Sequence, residues 1–283
     1  MKQSGGKDST NYQAQVINVG VTADEARNIA LDLFKANFLE LSQQAAEIAT
    51  YRAEKLVNDT LEKLKQENPS GIEKMKNPDM QYAMYTAQKE FARTGDENLE
   101  EILIELLVER TKEDDRTLKQ IVLDESLSVI TKLNQKQIDI LSLVFVIRRT
   151  VNNNYINFDK EIGDLLDYYE RTYSKFINEL PTVEEDTLLE HLVYAGCGRL
   201  SIGEAKYETI FKQNYQKIFN FNNEAEIVHL VNDFPLSSQI MKSWNETSLK
   251  NMNLTSVGIA IGHTNLVRKA GSSFGDLGIW ISG

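Results

Sequence analysis

The chain has 283 residues, 41% hydrophobic and 26% charged, with a formal net charge of −11 and an isoelectric point near 4.9. That composition excludes a disordered chain, and the acidic balance disfavours nonspecific binding to nucleic acid or to an anionic membrane. The one cysteine, Cys197, excludes an intrachain disulfide, and no apolar run approaches the roughly 18 residues of a membrane span.

Met1 to Lys7 is a polar, Gly-rich lead with no apolar stretch of the kind a secretory leader needs, so a cytoplasmic location is expected. Asn11 to Val19 alternates Tyr12, Ala14, Val16 and Asn18 with Gln13, Gln15, Ile17 and Val19, the period of a strand. Thr22-Ala-Asp-Glu25 is a capping box. Apolar residues then recur at helical spacing from Ile29 through Phe34, Phe38, Leu41 and Leu56 to Leu64, with no Gly or Pro before Pro69. The pattern predicts one helix throughout, a rod of roughly 65 Å at 1.5 Å per residue. Lengths of this order belong to coiled coils, stalks and bundle spines.

Shorter helices follow. Ser70-Gly-Ile-Glu73 caps a brief one; Asn77-Pro78 opens another that Gly95 closes; Asp96 opens a third. Leu118 to Ile130 is amphipathic, Asn134 caps Gln135 to Thr150, and Asn152 to Asn154 is a loop. Phe158 to Leu180 reads as a helix that Pro181 stops. Capping boxes at Thr182–Glu185 and Ser201–Glu204 predict helices to about Tyr194 and Phe219, and Glu224–Asp233 and Ser237–Leu249 are two more. Val257, Ala260, Ile261, Thr264 and Val267 predict a helix through Arg268. Asp276 to Ile281 reads as a strand with Leu277, Ile279 and Ile281 on one face; since a lone strand is unstable in water, it is expected to pair with Asn11–Val19, within a chain or between chains.

The expected fold is therefore mostly α: an elongated multi-helix bundle with a very long N-terminal helix and a small β element made from the two termini. Its parts would be a lead and assembly strand (1–21), the long helix with an N-terminal helical lobe (22–151), a C-terminal helical lobe (152–253), and a terminal helix and strand (254–283).

No catalytic, cofactor or metal residues stand out. His191, His229 and His263 fall on separate elements without ligand spacing, and Cys197 lies at the C-terminal end of a helix, away from the positive end that activates thiols. Gly196-x-Gly198 and Gly258-x-x-x-Gly262 lack the strand context of phosphate loops and read as close-packing positions. The acidic clusters sit mostly in first turns, where the helix dipole favours them. The amide-rich strand suggests an oligomer interface through Tyr12, Ala14, Val16, Asn18, Phe34, Phe38, Leu41, Leu277, Ile279 and Ile281. Four spread cations, Lys242, Lys250, Arg268 and Lys269, are candidate nucleic-acid contacts, a thin footprint that makes nucleic acid an unfavoured partner.

Six stretches carry a resemblance: Ser9-Thr-Asn-Tyr-Gln-Ala14, Ala30-Leu-Asp-Leu-Phe-Lys-Ala-Asn-Phe38, Asp79-Met-Gln-Tyr-Ala83, Lys119-Gln-Ile-Val-Leu-Asp-Glu-Ser126, Leu254-Thr-Ser-Val-Gly258 and Ile279-Trp-Ile281. Together they resemble an uncharacterised family of bacterial cytoplasmic proteins known by locus-type names, which implies no activity and no site residues. The arrangement from Leu99 to Ile147 is similar, in architecture alone, to helical proteins associated with abortive infection. Three functional readings follow. The first is a non-enzymatic, self-assembling scaffold or sensor, a homo-oligomer or a protein-binding partner, acting in phage defence. The second is a nucleic-acid-binding regulator using the basic tail. The third is a hydrolase whose site forms only in the oligomer.

Overall fold

In the N-terminal capping box, Thr22 Oγ1 accepts the Glu25 amide proton at 3.2 Å while Glu25 Oε2 accepts from the Thr22 amide at 2.8 Å. The helix it opens, α1 (Ala23–Asn37), ends far short of Leu64, and α2 (Gln43–Glu67) is a separate element packed against it. Arg27 Nε donates to Asn58 Oδ1 at 3.0 Å. Along one continuous helix these residues would lie roughly 46 Å apart. The very long N-terminal helix is thus corrected to a helix pair. Ala26, Ala30 and Leu31 of α1 share a core with Leu56, Val57 and Leu61 of α2. The 3.6-residue period is the same whether a helix runs on or folds back, so the periodicity alone did not separate the two. The computed structural model describes residues 20–37, 43–113, 116–152, 161–271 and 274–281. The expected strand Asn11–Val19, with Tyr12, Ala14, Val16 and Asn18, lies outside them, as do Phe38 and Leu41.

The next elements start and stop where their caps predict. After a 3₁₀ segment at Pro69–Lys76, α3 (Pro78–Thr94) begins on Asn77-Pro78 and ends at Gly95, whose φ of 65° suits a residue without Cβ. Asp96 caps α4 (Glu97–Arg110), Thr117 caps α5 (Leu118–Val129), and Asn134 forms a full capping box on α6 (Gln135–Arg149). Beyond them lie α7 (Ile162–Tyr173), α8 (Asp186–Tyr194), α9 (Tyr207–Phe219), α10 (Glu224–Val231), α11 (Pro235–Glu246) and α12 (Ser256–Ala270). One hydrophobic core runs through the described residues from Ala26 to Ile281.

At its centre α6 packs on α12. Every residue from Gln137 to Ile147 is buried, Asp139 and Ser142 included. The two polar residues are satisfied across the interface: Asn265 Nδ2 lies 3.0 Å from Asp139 Oδ1 and 2.9 Å from Ser142 Oγ, Lys269 Nζ pairs with Asp139 at 2.9 Å, and Ser142 donates to the Gly262 carbonyl at 2.9 Å. The glycines permit the approach. A Cβ on Gly258 would stand 1.9 Å from the Cys197 carbonyl oxygen, and one on Gly262 would stand 2.7 Å from that of Leu141. Close packing is therefore what the Gly-x-x-x-Gly spacing marks.

The β element differs from expectation. Among the described residues, the sheet joins β1 (Gly198–Leu200) antiparallel to β2 (Met252–Leu254), with Arg199 opposite Asn253. The expected C-terminal strand is instead a 3₁₀ turn, Leu277–Ile279. Asp276 Oδ1 accepts the Gly278 amide at 2.7 Å, and Ile281 donates back to the Leu277 carbonyl at 3.2 Å. Leu277 and Ile281 are buried and Ile279 is 65% exposed, the face pattern of a turn rather than of alternation. Positions four apart share a face in both, which is why the strand pattern misled. Ser201 likewise starts no helix: its amide bonds the Asn251 carbonyl beside the sheet, and α9 begins only at Tyr207. No helix among the described residues is long and apolar enough to cross a membrane.

Candidate functional site

A cleft of about 680 Å³ runs along α5. Two adjacent stripes of that helix line it, Gln120, Asp124 and Ser128, and Ile121, Glu125 and Val129, each at a spacing of four. The facing wall comes from Asp79 in the first turn of α3, the Ala195-Gly196 turn after α8, and Val257 at the start of α12; Arg116 stands at the edge. A smaller chamber of about 230 Å³ adjoins it, lined by Lys74, Asn77, Pro78, Asp79, Met80, Arg110, Glu113 and Gln120. Asp79 and Gln120 belong to both walls.

The local sequence explains the unusual residues here. Leu103, Leu107 and Arg110 fall on one face of α4, so the helix that buries its leucines also buries the guanidinium, which is 4% exposed. Arg110 Nε donates to Asp124 Oδ1 at 2.8 Å, but its Nη2 has no hydrogen-bond partner among the described residues. Gln120 is 6% exposed, and its Oε1 is also without a partner. Its backbone amide serves the helix cap, donating to Thr117 Oγ1 at 3.1 Å. At the start of α3, Asn77 makes no side-chain cap bond, and Pro78 has no N–H to offer. Lys74 Nζ donates to the Glu113 carbonyl at 3.1 Å, which fixes its stem at the chamber wall. Buried donors and acceptors are nearly always paired, so an unpaired guanidinium nitrogen and an unpaired amide oxygen on two residues that line the chamber set this part of the molecule apart.

The residues singled out in the sequence lie elsewhere. Phe34 is buried with Ala49, Ala53 and Ala92, and Leu277 and Ile281 are in the core, so contacts within the chain account for all three. Of the four cations, Lys250 pairs with Glu204 at 3.3 Å, Lys269 with Asp139, and Arg268 with Glu101, while Lys242 is exposed. His191 Nδ1 lies 2.9 Å from Gln137 Nε2, His229 is exposed, and His263 Nε2 lies 3.0 Å from the Gly275 carbonyl. Burial pushes the Cys197 thiol up to about 12, as unreactive as its helix-end position suggests. Among the described residues, no three His, Cys, Asp or Glu side chains are placed to hold a metal ion. The sequence reading passed over Arg110 and Gln120. The signal for Arg110 was its place in the leucine register of α4, while Gln120, in a first turn, reads as solvated until the neighbouring helices are in place.

Three of the six stretches that carry the family resemblance, those containing Asp79, Gln120 and Val257, meet at this cleft. A family model for an uncharacterised, locus-named family matches residues 20–231 and 220–281. The chain belongs to that family. Its two matched stretches take in every residue lining the cleft and the chamber. No curated protein and no solved structure matches the chain.

Proposed function

We propose that the protein is a non-enzymatic sensor whose recognition site is the cleft along α5. What supports this reading is a cleft of about 680 Å³, large enough for a metabolite, beside a smaller chamber lined by Arg110 and Gln120, two buried side chains that each keep one polar atom without a hydrogen-bond partner among the described residues. A thermal-shift screen of the full chain against spermidine, ATP, glucose 6-phosphate and the common amino acids tests it. A probe of one class is expected to raise the melting temperature by about 3 °C or more near saturation. Ser128→Trp, at an exposed position of the cleft wall, is expected to abolish that shift. No shift with any probe, or a shift that survives Ser128→Trp, contradicts the reading.

Self-assembly is the second reading. Exposed Tyr194, Leu200 and Ile202 surround β1, whose second side pairs with no strand among the described residues, and apolar edges of this kind favour intermolecular pairing. The N-terminal alternation at Tyr12–Val19 adds a sequence argument for the same behaviour. Light scattering should give a mass well above 32.2 kDa that falls on Ile202→Asp or on deletion of residues 1–20. A monomer at micromolar concentration contradicts it. The cytoplasmic location and the place in bacterial phage defence belong to this proposal through the single cysteine and the architectural resemblance. The nucleic-acid regulator and the oligomeric hydrolase have less support, since three of the four candidate cations are already paired within the chain.

A further inference from the structure

We propose that the segment Asn11–Val19 of one copy adds to the outer edge of β1 in a second copy, as the third strand of its sheet. This rests on the self-assembly reading and names the two surfaces that meet.

The edge is open at the main chain. Thr255 donates to the Cys197 carbonyl at 3.1 Å and Ser201 to the Asn251 carbonyl at 2.9 Å, so the odd-numbered residues of β1 and its ends face β2. The main-chain groups of Leu200 therefore point away from β2. Among the described residues, neither they nor those of Ile202 make a hydrogen bond. Their side chains are uncovered as well, Leu200 by 41% and Ile202 completely. On the other side of the sheet, β2 packs against α6 and α12, with Met252 and Leu254 buried.

The two faces of the sheet match the two faces of the segment. Leu200 stands opposite Met252, and together with Leu254 they form an apolar face. The other face is polar: Arg199 stands opposite Asn253, and Asn253 Nδ2 donates to Ser201 Oγ at 2.8 Å. Asn11–Val19, which precedes the described residues, alternates in the same way, with Tyr12, Ala14 and Val16 on one face and Gln13 and Gln15 on the other. Laid beside β1, it sets Ala14 and Val16 against Leu200 and its glutamines beside the Asn253–Ser201 pair. The segment has no charge, proline or glycine to oppose main-chain pairing.

A second copy is the occupant the geometry favours. Within its own chain the segment has lost its expected partner, because Leu277–Ile279 is a 3₁₀ turn. A Cβ on Gly20 would meet the Glu73 carboxylate, next to Lys74 of the smaller chamber, whereas β1 follows Gly196 of the larger cleft. Both cavities thus separate Gly20 from β1, and an alternation that runs to Val19 leaves no linker to cross them. Two copies that exchange segments fill both edges.

The test is disulfide trapping between full-length copies carrying different tags, in a Cys197→Ser background. One copy carries Leu200→Cys; the other carries a cysteine at Tyr12, Ala14 or Val16, or at Gln13 or Gln15 on the opposite face. Neighbouring side chains on one face of paired strands have Cβ atoms roughly 4.5–5.5 Å apart, within disulfide reach. At least one of the Tyr12, Ala14 and Val16 positions should cross-link about tenfold faster than either glutamine position. Gln15→Pro, which leaves the described residues untouched, should cut that yield by about tenfold and return the mass to 32.2 kDa. Equal trapping from both faces overturns the strand geometry. A chain carrying both cysteines that traps only within itself overturns the second copy as occupant. A larger mass indifferent to Gln15→Pro, with no trapping, overturns strand addition and leaves self-assembly standing. A monomer with no trapping overturns both.

Discussion

Arg27 and Asn58 are joined by a 3.0 Å hydrogen bond that holds α1 alongside α2. Spin labels at exposed Asn28 and Asn58, in a Cys197→Ser background, report that arrangement directly. Helices packed about 10 Å apart place such labels roughly 15–25 Å from each other. A distance near 45 Å, that of one continuous helix, would contradict the fold.

Gly258 and Gly262 set how closely α12 approaches the Cys197 carbonyl and α6. Each Gly→Ala change drives a methyl into backbone oxygen, at 1.9 Å and 2.7 Å. Both are expected to cost about 2 kcal/mol or more in urea unfolding, as overpacking against main chain that cannot give way. Gly163, near the start of α7, is the internal control. Nothing lies within 4 Å of its would-be Cβ, so Gly163→Ala should stabilise by about 0.4–1 kcal/mol. Equal costs at all three positions would remove the close-packing explanation.

His263 supplies a pH dependence. It is buried edge-on to Phe145, with its Nε2–H donating to Gly275, and burial lowers its pKa despite the Gly275 bond and the nearby Glu109 and Asp276. The unfolded chain therefore takes up the proton first as pH falls. Stability from this group is complete above about pH 6.5 and is lost as the pH drops towards the lower, folded value. Urea unfolding between pH 7.5 and 5 should show a loss that is smaller in His263→Gln. Identical pH slopes in the two proteins would contradict a buried, neutral His263.

Much of the helical fold was legible because its punctuation is local. Asp96 and Asn134 each satisfy orphan amides within their own turn, and Pro78 removes one at the start of α3, so the residues that mark a helix start are those that make it. The α1–α2 fold-back and the Leu277–Ile279 turn were not legible, because their apolar spacings fit two geometries and tertiary burial chooses between them. The site was less legible still. Gln120 and Arg110 become notable only when neighbouring helices bury them with one polar atom each left over among the described residues, a property of packing rather than of spacing. Asp139 had the same ambiguity within an apolar run, and there Asn265 and Lys269, far along the chain, complete the pairing.

The central claim is that Gln120 serves the cleft along α5 rather than the fold, and the unfolding free energy of Gln120→Met tests it most directly. Methionine keeps the length and volume but removes a buried acceptor that no group among the described residues satisfies. Relief of that desolvation is expected to make the empty protein more stable by about 1 kcal/mol in urea unfolding, while any ligand-induced shift in melting temperature is lost. A variant destabilised by about 1 kcal/mol or more, with ligand response intact, would show that the amide serves the fold and would contradict the account.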